Sequence, residues 1–316
     1  MTEDELIERF FAASTLHRDD VVLGIGDDAA VLAPPPGHQI VSAVDTINEG
    51  VHFPAGLPAR SIGHRAMAVN LSDLAAMGAE PAWALLSLSI PQADEKWLNE
   101  FADGFLGLAT GFGVSLVGGD TVRGPLSVSV GVQGFVESGS QLTRAGARPG
   151  DAIFLTGKTG EAAAGLELVR GSRTGPLVDR FLDPVPRVEI GRDLVGVATS
   201  AIDVSDGLAV DLARLAKASG VAAHLDLDRL PLSEDVDQLF GPERCRELAL
   251  AGGDDYELCF TVPPSRKEAV RGIEQRRTVP MTCIGEVRTG CGLLLEGKGA
   301  SAGVPDAWHH FSAVPA

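Results

Sequence analysis

The chain has 316 residues, long for a single core, so two domains are expected; with 45% hydrophobic and 22% charged residues it is an ordered globular protein. Twenty-six Lys and Arg against 43 Asp and Glu leave a formal net charge of −17, which disfavours nucleic acid and anionic membrane as partners. A phosphate-bearing ligand would then need a cation as a bridge.

In chain order, residues 3–13 carry Leu6, Ile7, Phe10 and Phe11 on one helical face. Residues 21–25 are a short apolar strand ending in Gly26-Asp27-Asp28, and residues 39–44 a strand ending at Asp45. A helix is predicted over 60–77, a strand over 82–90, a helix over 94–112 and strands over 114–117 and 126–137. Residues 138–150, rich in Gly, Ser, Arg and Pro, divide the chain into domains at 1–138 and 150–316. Beyond them come strands at 151–156, 200–203, 221–227, 257–262 and 281–287, with one more at 292–295. Helices are predicted around 160–170, 187–198, 207–219 and 265–276. Mixed strands and helices in both halves make the fold class α/β or α+β.

The acidic, amphipathic start has no signal-peptide character, and no apolar run is long enough to span a bilayer. The four cysteines, Cys245, Cys259, Cys283 and Cys291, include no C-x-x-C pair. A cytoplasmic protein with reduced thiols is expected.

Two nucleotide motifs fail. Gly24-Ile-Gly26-Asp27-Asp28-Ala29 nearly matches G-x-G-x-x-G/A, but two aspartates would face the pyrophosphate, and Pro34-Pro35-Pro36 leave little room for the helix. Gly157-Lys158-Thr159 ends like a P-loop, yet the required first glycine is Ala152 inside an apolar strand, so a strand-to-helix turn is the simpler reading. H-E-x-x-H, G-x-S-x-G and EF-hand loops are absent from the sequence.

What recurs is aspartate: Asp28, Asp45, Asp120, Asp203, Asp206 and Asp254 beside apolar strands, and Asp73 within a helix with Asn70 on the same face. Any one Asp-Gly pair is explained by a turn or a helix cap. Asp28, Asp45, Asp73, Asp120 and Asp206 together are better explained by a hard divalent cation, chiefly magnesium, held against phosphates. Arg123 and Arg144 are candidate phosphate clamps, since guanidinium matches phosphate in a fork, although ordinary solvated surface positions explain them equally well. His52 and Trp308 are candidate ligand contacts that ordinary loop and core packing would also explain.

In order, Gly24-Ile-Gly-Asp-Asp-Ala-Ala, Val44-Asp-Thr with Gly50-Val-His-Phe, Ala68-Val-Asn-Leu-Ser-Asp-Leu-Ala-Ala-Met-Gly, Gly118-Gly-Asp-Thr-Val-Arg-Gly, Leu142-Thr-Arg-Ala-Gly-Ala, Asp203-Val-Ser-Asp-Gly-Leu and Gly252-Gly-Asp-Asp-Tyr-Glu-Leu resemble the thiamine-monophosphate kinase family. The resemblance implies the two-domain aminoimidazole ribonucleotide synthetase-like fold. Its N-terminal mixed-sheet domain pairs strands across a homodimer, and an α/β domain follows. It implies transfer of the ATP γ-phosphoryl group to thiamine monophosphate, with more than one magnesium ion. Asp28, Asp45, Asp73, Asp120, Asp203 and Asp206 match the family's metal-binding aspartates, Asp120 and Asp206 being taken as catalytic. Gly119, Asp120, Arg144 and Ser205 match nucleotide contacts. His52, Asp254 and Trp308 match positions near the thiamine phosphate, although many relatives carry Glu in place of Asp254 and another aromatic in place of Trp308. Relatives with other chemistry fit less well: selenophosphate synthesis usually needs a Cys before the first glycine-aspartate block, and here none precedes Cys245.

Overall fold

The computed structural model describes residues 2–300. It forms two compact units, one of residues up to 141 with 182–192, the other of 142–181 with those from 193 on.

The first unit opens on α1 (Glu3–Phe10), started by a reciprocal capping box between Thr2 and Glu5. A small antiparallel hairpin follows, β1 (Val21–Leu23) with β2 (Val31–Leu32), and carries the Asp27-Asp28 turn at its tip. Then come β3 (His38–Asn48), α2 (Ala59–Ala76), β4 (Glu80–Ile90), α3 (Glu95–Gly111), β5 (Ser115–Arg123) and β6 (Ser127–Glu137). The four long strands form one sheet in the order β3-β6-β4-β5, parallel only between β4 and β5.

The sheet has two unlike faces because β6 alternates: Val128, Val130 and Val132 are buried, while Ser129, Gly131 and Gln133 line the opposite side. α2 packs on the valine face and is buried nearly all round, as a helix between a sheet and a second helix must be. That second helix, α3, comes unusually close. A Cβ on Gly104 would lie 1.9 Å from the Arg60 carbonyl oxygen, and one on Gly63 2.2 Å from that of Phe101. The two glycines are what let α2 and α3 touch backbone to backbone.

Two expectations are corrected. Asp45 and Asp120 do not end their strands. β3 pairs with β6 over its whole length, from His38↔Glu137 to Asn48↔Ser127, and β5 runs on beside β4 to Ile90↔Arg123. Ladder pairing overrides the poor strand propensity of Gly and Asp. Secondly, residues 182–192 return to the first unit, where the Pro184 carbonyl meets His64 Nε2 at 2.9 Å and Arg192 pairs with Glu80 at 2.7 Å. Such long-range contacts leave no local trace in composition, so a single cut near 138–150 does not provide for them.

The N-terminal segment is pinned by Asp20. Its carboxylate accepts a fork from Arg18, at 2.9 and 2.6 Å, and a third bond from Trp83 Nε1 at 2.9 Å; Arg18 also donates to the Gly113 carbonyl. The Arg18 hydrogen bonds hold the Asp20 carboxyl below its ordinary value of 3.8, against the opposing effect of burial. A depressed folded pKa stabilises at pH values above the unfolded one and is lost as pH falls through the folded one. Asp20→Asn is therefore expected to cost about 1–3 kcal/mol at pH 7. In urea melts, the gap from the unaltered protein should close below the ordinary carboxylate value. A gap independent of pH would show that Asp20 acts by shape alone.

The second unit contains β7 (Ala152–Thr156), α4 (Glu161–Arg170) and α5 (Pro176–Leu182). After the return segment, which includes most of α6 (Val188–Leu194), it continues with β8 (Ser200–Val204), α7 (Leu208–Ser219), β9 (Ala222–Asp226), α8 (Glu234–Phe240), α9 (Pro242–Ala251), β10 (Glu257–Val262), α10 (Lys267–Arg277), β11 (Met281–Arg288) and β12 (Gly292–Glu296). Its six strands run β12-β9-β11-β7-β10-β8, parallel only between β12 and β9. Ile153, Leu155, Ile202, Val204 and Cys259 join Leu208, Leu212 and Leu215 of α7 in one core. Among the described residues, no helix is long and apolar enough to cross a membrane.

Candidate functional site

The uncovered face of the first unit's sheet forms a groove of about 1380 Å³. Ser42 and Val44 of β3, Ser129 and Gly131 of β6, and Gly118 to Thr121 of β5 line it, with Asp27 and Asp28 from the hairpin turn and Ile7 and Phe11 from the N-terminal segment. Asp28 and Asp120, far apart in sequence, thus serve one cavity, and both are exposed. Asp27 joins them; its Oδ1 accepts from the Asp28 backbone N–H at 2.8 Å, which shapes the turn. On sequence alone Asp27 has no role of its own.

Gly119 has a specific reason to be glycine. Its φ is 153°, and a Cβ there would sit 1.8 Å from the Leu86 carbonyl oxygen on β4. The bare backbone lets β5 close on β4, which fixes Asp120 opposite Ser87.

Asp45 and Asp73 are not among the residues lining the groove. Strand alternation puts Asp45 on the face opposite Val44, the side of α2. There its backbone N–H donates to Asn70 Oδ1 at 3.0 Å, while Asn70 Nδ2 donates to Ala66 O at 2.9 Å. The buried Asn70 thus ties the Asp45 strand to the helix that carries Asp73. His52 follows β3, and its Nδ1 accepts from the Asn48 N–H at 3.0 Å, which in the neutral ring leaves the proton on Nε2. Among the described residues, no three His, Cys, Asp or Glu side chains gather closely enough to hold a metal by themselves.

The second unit places its candidates around the end of β8. Asp203 is buried on the strand, and Ser205 and Asp206 form the turn into α7. The neighbouring loop is fastened to it: Asp254 N–H donates to the Ser205 carbonyl and Tyr256 N–H to that of Val204, both at 2.9 Å. Asp254 and Tyr256 both have positive φ, at 69° and 52°, and the Tyr256 hydroxyl donates to Asp254 Oδ1. Such backbone costs about 1–3 kcal/mol per residue and persists only where the surroundings hold it. Arg144 is exposed, and its carbonyl accepts from Ser219 Oγ at 2.9 Å. Arg123 is exposed on β5. Trp308 lies outside the described residues.

Two carboxylates beyond the predicted set shape this unit. Asp255 accepts from the Gly160 and Ala162 N–H groups at the start of α4. The helix start where a P-loop would cradle phosphate is therefore filled by the chain's own carboxylate, in keeping with the rejection of the Gly157-Lys158-Thr159 match. Burial pushes the Asp255 carboxyl well above the ordinary range. Asp211, buried in the first turn of α7, accepts from the Ser205 and Asp206 N–H groups. Burial, with the nearby charges of Asp203 and Asp206, raises its pKa to about 6 despite the Asp206 backbone bond. A sequence signal existed: Asp211 stands on the buried helix face of Leu208, Leu212 and Leu215.

Residues 26–136 and 148–296 match the families described as AIR synthase related protein, N-terminal and C-terminal domain. The thiamine-monophosphate kinase of Escherichia coli K12 is 44% identical over 292 residues, 90% of each chain, and that of Haemophilus influenzae is 38% identical over 98% of each. The chain belongs to the thiamine-monophosphate kinase family.

Solved members of the family agree in fold. The crystal structure of the Stenotrophomonas maltophilia K279a thiamine-monophosphate kinase superposes with a TM-score of 0.88 at 46% identity, covering 94% of this chain and 97% of that one. The complex of AaThiL with AMPPCP and TMP gives a TM-score of 0.79 at 32% identity, covering 88% and 89%. The expected family and two-domain fold class thus stand.

Proposed function

We propose that this chain transfers the γ-phosphoryl group of ATP to the phosphate of thiamine monophosphate, giving thiamine diphosphate and ADP. The observation that carries the proposal is membership of the thiamine-monophosphate kinase family over nine-tenths of the chain, together with a solved relative that holds an ATP analogue and TMP. The carboxylate-lined groove supplies a fitting surface, because a protein of net charge −17 needs cations to accept two phosphate-bearing ligands.

Magnesium suits the donors. The groove's lining residues include Asp27, Asp28 and Asp120 but no His or Cys, and oxygen donors select hard cations. Magnesium commonly takes one or two carboxylates and fills its other positions with water and phosphate oxygens, so loosely spaced aspartates suffice. In the first unit Asp28 and Asp120 are the proposed ligands at the groove, and Asp45 and Asp73, which do not line it, are proposed ligands on the α2 side; in the second unit the proposed ligands are Asp203 and Asp206. When bound, the ions neutralise phosphate charge. The acceptor oxygen is already anionic and needs no strong base, so the side chains act by positioning and charge. Gly119, Arg144 and Ser205 are assigned to the nucleotide, and His52, Asp254 and Trp308 to the thiamine phosphate. An ADP-release assay over several phosphorylated acceptors tests the reading. Thiamine monophosphate should be preferred, and equal rates without any acceptor would refute it.

We also place the protein in the cytoplasm, where ATP and magnesium are supplied, and read it as a homodimer. Ile40, Val44 and Leu85 lie 50%, 70% and 41% exposed on the same open sheet face, an apolar surface suited to a second copy. Ile40→Glu is expected to convert a dimer to a monomer in sedimentation velocity; an unaltered sedimentation coefficient would remove this face from the interface.

A further inference from the structure

The turn that carries Ser205 and Asp206 is held by a residue with no assigned role. β8 ends at Val204 and α7 begins at Leu208, leaving three residues to reverse the chain. Asp211 is 1% exposed, and its Oδ2 accepts from both the Ser205 and the Asp206 backbone N–H, each at 3.0 Å. Its Oδ1 takes Arg214 Nη1 at 2.7 Å, and the same Nη1 reaches Asp206 Oδ2 at 2.5 Å.

A helix cap precedes its helix and satisfies the helix's own first N–H groups. Asp211 does the reverse. It sits inside the first turn and reaches back to N–H groups that lie before the helix starts. Those two donors belong to the residues assigned to nucleotide and metal. The Asp206 carboxylate is also fixed, through Arg214. One buried carboxylate thus sets both the backbone and the side-chain direction of Asp206, and a burial of this kind is costly unless the group is fully partnered.

We propose that Asp211 is a positioning residue of the phosphoryl-transfer site, holding Ser205 and Asp206 in place directly and through Arg214. The proposal rests on the kinase reading above.

The test compares Asp211→Asn, Arg214→Met and Asp151→Asn in the full chain. Asparagine at 211 keeps an acceptor oxygen for the two N–H groups but turns an amide toward Arg214, so the fold survives while the Asp206 link is lost. Arg214→Met breaks only that link. Asp151 is another buried carboxylate, 4% exposed and bonded to the Arg148 N–H and Thr199 Oγ1 just before β7, at the opposite end of that strand from Thr156. Its loss should lower thermal stability without touching kinetics. The expected result is a fall of roughly tenfold or more in kcat/KM for ATP in both Asp211→Asn and Arg214→Met. The KM for thiamine monophosphate should stay within about twofold. Affinity for a fluorescent ATP analogue with magnesium should weaken in parallel, a readout independent of turnover. If Asp211→Asn loses thermal stability alone and keeps wild-type kinetics and analogue affinity, as Asp151→Asn should, the positioning role is overturned. An unaltered protein that makes no thiamine diphosphate overturns both this inference and the reading beneath it.

Discussion

Asp120→Asn lowers kcat by roughly 10²–10³-fold and leaves the fold intact. Asp120 is exposed on the groove side of β5, so no core packing depends on its side chain. Its strand pairing, opposite Ser87, is made by backbone groups that asparagine also has. The substitution keeps size and shape and removes one negative charge. A site that works by charge and position should feel that change in the chemical step rather than in stability. The thermal midpoint should therefore move by no more than about 2 °C. Wild-type turnover in the variant would reduce Asp120 to an ordinary strand residue.

Gly119→Ala damages the same place by geometry instead of charge. The added methyl would fall 1.8 Å from the Leu86 carbonyl oxygen and 2.7 Å from its carbon, and these are backbone atoms that no rotamer change can move. β5 must separate from β4 at the Leu86↔Gly119 register, and Asp120 moves with it. Overpacking of this kind costs about 1–3 kcal/mol, equivalent to roughly 3–10 °C in midpoint. A displacement near 1 Å at a positioned group also lowers turnover by about 10²-fold. Gly118→Ala is the control. Its Cβ would meet only the Leu85 side chain, at 3.3 Å, and a side chain can shift. If the two alanine variants behave alike, the close approach of β5 to β4 does not govern the site.

Much of the candidate set in each unit is legible in the sequence, and for identifiable reasons. Gly119-Asp120, Asp27-Asp28 and Ser205-Asp206 are short local patterns whose chemistry depends on residue type, so they stand out in a linear reading. The two-domain class followed from chain length and the Gly- and Pro-containing stretch at 138–150, and most long elements from period, as in the alternation of β6. What stayed hidden was whatever depends on pairing across the chain. Reading Asp45 and Asp120 as strand ends followed propensity, whereas ladders with β6 and β4 carry both strands onward. Helices α8 and α9 are hard to read from sequence because charged residues and Gly241-Pro242 interrupt their apolar pattern. Asp211 and Asp255 carry no legible role in the sequence, because such a carboxylate shows its purpose only through its partners, the N–H groups of 205 and 206 or of 160 and 162.

The most direct measurement is phosphorus NMR of the purified protein incubated with ATP, magnesium and thiamine monophosphate. The account predicts that the monophosphate resonance is replaced by the paired signals of a diphosphate ester as ADP appears in equal amount, and that nothing changes without magnesium. Release of inorganic phosphate beside unchanged thiamine monophosphate would contradict it, because the γ-phosphoryl group would then be passing to water.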